Sequence, residues 1–91
     1  MQYTLITTRE FDHWLDTLSA KAKSLVLNRL RLLEQGHMGL YRVLGEGLVE
    51  LKWKNGLRVY FIRIEARKLK ILLGGDKHGQ NKDIQKARSL Y

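Results

Sequence analysis

The sequence contains no cysteine and no proline. Without cysteine there is no disulfide framework, no thiolate metal site and no cysteine nucleophile. Without proline, the turns fall to eight glycines and to polar residues that tolerate turn conformations. Long apolar runs are missing as well. The longest spans a few residues, far below the ~18 needed to cross a bilayer, so no membrane partner is expected. The N-terminal stretch MQYTLITTREF lacks a basic region followed by an apolar one, so no secretory signal is expected and a reducing cytoplasm is the expected compartment. Acidic residues are scarce: nine Asp+Glu stand against seventeen Lys+Arg, a net charge of +8.

What is present makes one domain, residues 1–91. A chain this short supports a single core, and 44% hydrophobic against 29% charged residues is the balance of a folded chain, not a disordered one. The charge is uneven. Up to Glu46 there are six basic and five acidic residues, and beyond it eleven basic and four acidic, a net of +7 in the second half. A field concentrated in one half points to a polyanionic partner. Nucleic acid fits better than an anionic membrane, because the basic residues are spread over strands as well as helices.

Periodicity gives the element order. Residues 2–7 are β-branched and aromatic and read as a strand. Thr8 is placed to cap a helix over 9–18, in which Phe11, Trp14, Leu15 and Leu18 form one apolar stripe. Ser19 caps a second helix over 20–35 with a stripe of Ala22, Leu25, Val26, Leu30 and Leu33, ended by Gly36. Near Gly45 the period changes to two. Val49, Leu51 and Trp53 alternate with Glu50, Lys52 and Lys54, a half-buried strand. Asn55-Gly56 is a hairpin turn, 57–64 the return strand, and 68–73 a further strand that Gly74-Gly75 stops. A short helix follows in 81–91. The order β-α-α-β-β-β-α is an α+β fold, with an N-terminal strand and a helical hairpin packed on a small, mainly antiparallel sheet.

Most site chemistries find no support. His13, His37 and His78 have no ligand spacing, so no metal is expected. Gly45-Glu46-Gly47 and Gly74-Gly75 match neither a P-loop nor a dinucleotide fingerprint, so no cofactor is expected. Ser19, Ser24 and Ser89 have no His/Asp set around them. What remains is cationic. Lys52 and Lys54 share one face of a strand, Arg58 lies across the hairpin from them, and Lys77 and His78 follow the last strand. Arg63 on the return strand and Lys82, Lys86 and Arg88 near the C-terminus extend the basic surface as candidate RNA- or phosphate-binding residues. Such a cluster suits RNA cleavage by the ribose 2′-hydroxyl. Arginine clamps the phosphate bidentately, and a lysine crowded by cations becomes a general base near neutrality. A solvated basic face that only holds phosphates is the alternative on residue chemistry alone, and an Arg58 that only pairs with Glu50 is its counterpart for that residue.

The blocks from Leu33-Glu34-Gln35-Gly36-His37-Met38-Gly39 through Val43-Leu44-Gly45-Glu46-Gly47-Leu48-Val49-Glu50-Leu51-Lys52, with Gly56-Leu57-Arg58-Val59-Tyr60-Phe61, Leu72-Leu73-Gly74-Gly75-Asp76-Lys77 and Gln80-Asn81-Lys82-Asp83-Ile84-Gln85-Lys86-Ala87, resemble the RelE/ParE toxin superfamily in its HigB-like branch. Glu10-Phe11-Asp12-His13-Trp14-Leu15 is similar to that group too. The resemblance implies a RelE-like fold and the toxin of a type II toxin–antitoxin module. It implies a helix-turn-helix antitoxin that carries the complex to operator DNA. It also implies a ribosome-dependent, metal-independent endonuclease acting on mRNA. By position it carries catalytic roles to Lys52, Lys54, Arg58 and Lys77, with His78 as the histidine candidate. RelE proteins place a tyrosine soon after the last strand. Here that region reads Lys82-Asp83-Ile84, and Tyr91 is the candidate acid or base if the tail folds back. ParE members share the fold and poison DNA gyrase, so a non-enzymatic poison or binding module is the alternative function.

Overall fold

The computed structural model describes residues 2–91. In chain order they form β1 (Thr4–Thr7), α1 (Arg9–Asp16), α2 (Ala20–Glu34), β2 (Tyr41–Gly45), β3 (Leu48–Lys52), β4 (Leu57–Glu65), β5 (Lys68–Asp76), one 3₁₀ turn (Lys77–Gly79) and α3 (Gln80–Arg88). The strands make one sheet in the order β1-β5-β4-β3-β2. β1 runs parallel to β5 and all other neighbours are antiparallel. This is the expected α+β architecture with one strand more than the sequence pattern shows.

Both helix starts use the expected caps. The Thr8 hydroxyl accepts from the Phe11 N–H at 3.0 Å and donates to the Leu72 carbonyl at 2.6 Å, tying α1 to β5. Ser19 accepts from the Ala22 N–H at 3.2 Å. Gly36 follows α2 with φ +89°, a left-handed conformation that glycine adopts without strain. α1 ends at Asp16, earlier than the stripe predicts, yet Leu18 still packs against the core. In α2, Val26, Leu30 and Leu33 are buried, whereas Leu25 lies outside the core.

The sheet is covered on both faces. On one face α1 and α2 supply Phe11, Val26, Leu30 and Leu33 against Leu51, Val59, Phe61, Leu69 and Ile71. On the other, α3 brings Ala87 and Ile84 against Leu48, Tyr60, Ile62, Leu72 and Leu73. The alternation of β4 follows from this, since Val59 and Phe61 face the helical hairpin while Tyr60 and Ile62 face α3. In β5 the register against β4 shifts between Tyr60 and Phe61, which pair with Leu73 and Ile71. That bulge turns both Leu72 and Leu73 toward α3.

Three details differ from the sequence pattern. β2 has no counterpart among the expected elements, because its stability comes from pairing with β3 and not from an apolar run of its own. The β3–β4 connection is a four-residue loop, Trp53–Gly56, closed by the Gly56 N–H to the Trp53 carbonyl at 3.1 Å. Gly56 has φ +101° and Asn55 is not in the left-handed region, so Asn55 acts instead through its side chain, which accepts from the Leu57 N–H at 3.1 Å. Finally, Gly74-Gly75 does not stop β5, which runs on to Asp76. A Cβ on Gly74 would overlap the Trp14 ring, and one on Gly75 would overlap the Asp83 carboxylate. The glycines let α1 and α3 close on opposite faces of one strand. Gly74→Ala is therefore expected to destabilise the fold by about 1–3 kcal/mol, the usual range for overpacking, as read by chemical denaturation. An unchanged midpoint would show that Trp14 has free space to move.

Candidate functional site

The expected cations converge at the β3–β4 hairpin end of the sheet. Lys52 and Arg58 are direct cross-strand partners, so their side chains share the face that α3 covers. Lys54 stands exposed in the hairpin loop. The Lys77 N–H donates to the Gly56 carbonyl at 2.9 Å, and its aliphatic stem passes over Gly56, with Cγ 3.5 Å from where a Cβ would stand. His78 follows, its N–H held by the Asp76 carboxylate at 2.8 Å. Lys77, His78 and Lys82 line a shallow hollow of about 260 Å³ at the start of α3.

The sequence allows Arg58 to be a phosphate clamp or a partner of Glu50, and the structure pairs it with Glu50 at only 9% exposure. Its Nη1 donates to the Leu57 carbonyl at 2.8 Å and the Trp53 carbonyl at 3.1 Å. Its Nε lies 4.0 Å from Glu50 Oε2, an ion pair without a hydrogen bond. Glu50 itself is fully buried. Its Oε2 accepts from Gln80 Nε2 at 2.6 Å, and its Oε1 stands 3.2 Å from Arg42 Nε on the edge strand. A buried carboxylate needs such partners, because desolvation without them is prohibitive. Tyr60 pairs with Glu50 in the β3–β4 register and is fully buried, its hydroxyl without a hydrogen-bond partner. Burial first, and the adjacent Glu50 carboxylate second, raise its pKa above that of an ordinary phenol, which keeps it protonated. Across the same face, burial and the nearby Asp76 carboxylate raise the pKa of Asp83, opposed by Lys86 and Lys82.

The remaining expected residues lie elsewhere. Lys86 borders a cleft of about 450 Å³ between α1 and α3, with Arg9, His13 and Trp14. Arg88 is engaged at the β2–β3 turn: its guanidinium donates to the Leu44 carbonyl at 2.9 Å and to Glu46 Oε1 at 3.1 Å. Tyr91 sits beside it, with its hydroxyl 3.5 Å from Arg88 Nη1. The tail therefore folds toward the β2–β3 turn, which the five residues of β3 separate from the hairpin by roughly 15 Å. Arg63 lies on the opposite face, beside Phe61 and Leu69. The fold does not bring Arg63, Arg88 and Tyr91 to the cations at the hairpin. Among the described residues, no three His, Asp or Glu converge as metal ligands, and no helix is long and apolar enough to cross a membrane.

A profile of the phage-derived Gp49-like proteins (DUF891) matches residues 13–91. The chain belongs to this family. A Haemophilus influenzae protein described as uncharacterized is 34% identical over 93 residues, covering 99% of this chain and 94% of its own. Two solved structures share the fold at low identity. The Escherichia coli toxin RelE, a double mutant in the free state, superposes with a TM-score of 0.80 at 13% identity, over 98% of this chain and 97% of its own. A chain of the RelBE2 toxin–antitoxin complex of Mycobacterium tuberculosis gives 0.71 at 16% identity, over 84% of this chain and 99% of its own. The Gp49-like chain thus has the RelE fold.

In this Gp49-like protein, several site residues carry no signal of their own in the sequence. Glu50 reads as a surface residue of an alternating strand, and Gln80 and Arg42 as ordinary polar positions. Arg29 is another. Its guanidinium donates to the Met38 carbonyl at 3.0 Å, the Lys52 carbonyl at 2.9 Å and the Leu40 carbonyl, and lies 4.7 Å over the Trp53 ring. It fastens α2 to the base of the hairpin. The one usable sequence signal was register, since a hairpin that pairs Lys52 with Arg58 also pairs Glu50 with Tyr60.

Proposed function

We propose that this Gp49-like protein is the toxin of a type II toxin–antitoxin module, of the HigB-like kind, and that it cuts mRNA on the ribosome without a metal and so inhibits translation in the cytoplasm. The observation that carries this reading is the convergence of Lys52, Lys54, Arg58 and Lys77 at one end of a RelE fold. In the reaction, the 2′-hydroxyl oxygen attacks the adjacent phosphorus, its proton passing to a base, and the bond to the 5′-oxygen breaks as that oxygen takes up a proton. The products are a cyclic phosphate and a 5′-hydroxyl. Arg58, fixed by two backbone carbonyls, is preorganised to meet the growing charge on the phosphorane. Lys52, Lys54 and Lys77 hold the flanking phosphates, and His78 stands beside Lys77 as a proton carrier. Lys82 extends the phosphate track.

The test is purified protein added to ribosomes loaded with a defined mRNA. Cleaved RNA with 5′-hydroxyl ends, formed equally by protein stripped of bound metal with chelator before mixing, is the expected result. Intact mRNA together with DNA breaks in the presence of gyrase would overturn it in favour of a gyrase poison. The segment after β5 favours that second reading in one respect, because it holds no tyrosine up to Arg88 and Tyr91 lies at the far end of β3.

The antitoxin of this reading, a helix-turn-helix protein that brings the pair to operator DNA, meets a strongly basic toxin. Association is expected to slow about tenfold between roughly 0.1 and 1 M salt, as the Debye length contracts. A rate constant that stays flat in stopped-flow mixing would remove the electrostatic steering.

A further inference from the structure

We propose that the outer edge of β2 is a docking strand for an extended segment of a partner protein in which apolar residues alternate with carboxylates. β2 is an edge of the five-stranded sheet. The large apolar side chains most open to solvent gather on it and its lead-in: Val43 is 65% exposed and Leu40 54%, with Tyr41 close behind. An apolar sheet edge left bare is a hazard that soluble proteins normally blunt or cover.

The backbone of the same residues is free. The Leu40 carbonyl accepts from the Lys52 N–H at 3.0 Å, so Leu40 and Arg42 turn their backbone groups toward β3. By the alternation of an antiparallel ladder, Tyr41 and Val43 turn theirs outward. An added strand thus finds two N–H donors and two carbonyl acceptors in line. It also finds two apolar side chains on the face of the helical hairpin. Val49, the cross-strand partner of Val43, continues this apolar strip into a groove of about 420 Å³ shared with Leu33, Met38 and Phe61.

Charge selects the occupant. On the α3 face of β2, between Tyr41 and Val43, stands Arg42, half exposed beside Glu50, and Arg63 borders the groove. A carboxylate opposite Arg42 forms a favourable cross-strand pair. A second copy of this chain does not fit. An antiparallel β2–β2 pair centred on Arg42 sets the two arginines directly opposite, between molecules that each carry +8. The inference deepens the antitoxin part of the proposed function, and its test contains no RNA, so its failure leaves the cleavage reading standing.

The test uses the intact protein and a capped peptide, acetyl-TVEVEV-amide, with acetyl-TVKVKV-amide as control, followed by amide hydrogen exchange in NMR. At a peptide concentration that occupies nine-tenths of the protein, exchange at Tyr41 and Val43 is expected to slow about tenfold, with Arg42 already protected in the free state. Val43→Pro removes only an outward N–H, a position that tolerates proline, and is expected to keep the fold and lose the protection. Val43→Lys serves as the second variant, replacing the most exposed apolar side chain with a like charge. Absence of protection, protection at other amides, or equal effects of the two peptides would overturn the proposal. So would a concentration-dependent dimer of the peptide-free protein that Val43→Pro abolishes, which would assign the edge to a second copy.

Discussion

Glu50→Ala is expected to remove about 3–5 kcal/mol of stability, the range for breaking a buried ion pair from one side. The parent, at 91 residues, has on the order of 5–14 kcal/mol in all, so the melting midpoint should fall by on the order of 20 °C. The carboxylate is fully buried and answers two guanidinium groups and one amide. Arg42 can turn to water because it is half exposed, but Arg58 cannot, and Gln80 loses the acceptor that fastens the start of α3. Glu50→Gln keeps the shape and an acceptor while deleting the charge, and should cost about half as much. In a double-mutant cycle with Arg58→Met, the combined loss should be smaller than the sum of the single losses by about 1–3 kcal/mol. A Glu50→Ala protein that melts within a few degrees of the parent would show that the carboxylate does not balance Arg58.

Arg58→Ala is expected to lower the cleavage rate about 10²–10³-fold, the effect of removing one preorganised donor from a developing anion. Burial adds a second effect. The variant also removes one of the two donors on each of the Trp53 and Leu57 carbonyls, which keep their backbone N–H partners, and leaves Glu50 with one counter-charge fewer, which should cost about 2–3 kcal/mol. Stability and activity must therefore be read together, with the assay run well below the variant's own midpoint. Arg58→Lys separates the two. An ammonium restores a positive charge near Glu50 and should recover more than half of the lost stability, but it lacks the planar fork, so cleavage should stay about 10²-fold down. Recovery of both properties in Arg58→Lys would make Arg58 a point charge. A folded Arg58→Ala protein that cuts at the parental rate would make it a structural partner of Glu50 alone.

Both expectations rest on the same piece of architecture. The hairpin that carries the basic cluster is held from beneath by Glu50 and Gln80, from one side by Arg29, and from above by Lys77. The cations are thus held by a buried carboxylate, an amide and a guanidinium bound to backbone carbonyls. Preorganisation of this kind is what lets a basic cluster stabilise a transition state and not merely attract a polyanion.

Much of this was legible in the sequence. Helix starts at Thr8 and Ser19, the α2 terminus at Gly36, the strand alternation from Val49 to Trp53 and the hairpin at Asn55-Gly56 are local signals. Each is decided by a cap, a period or a permitted φ within a few residues, and the fold class follows from their order. The meeting of Lys52 and Arg58 was legible for the same reason, since strand parity and a tight turn fix which side chains share a face, whereas Lys77 joins them through the pairing of β5 with β4.

Tertiary structure alone decided the rest. β2 exists because β3 offers it a ladder, and the same pairing exposes Tyr41 and Val43. β5 runs through Gly74-Gly75 because β4 pairs with it as far as Asp76, and these positions are glycine because Trp14, sixty residues away, and Asp83 on α3 fill the space a Cβ would take. The largest departure is Glu50 and Arg58. Period-two alternation marks one apolar face and one polar face, and a polar face is expected to meet water. α3 covers that face instead, with an apolar side of only Ile84, Ala87 and Leu90, too short a stripe to announce a second core layer. Whether a charge on a strand is solvated or buried depends on what packs above it, and that is set by contacts between residues some thirty positions apart, such as Gln80 with Glu50, which no local pattern records.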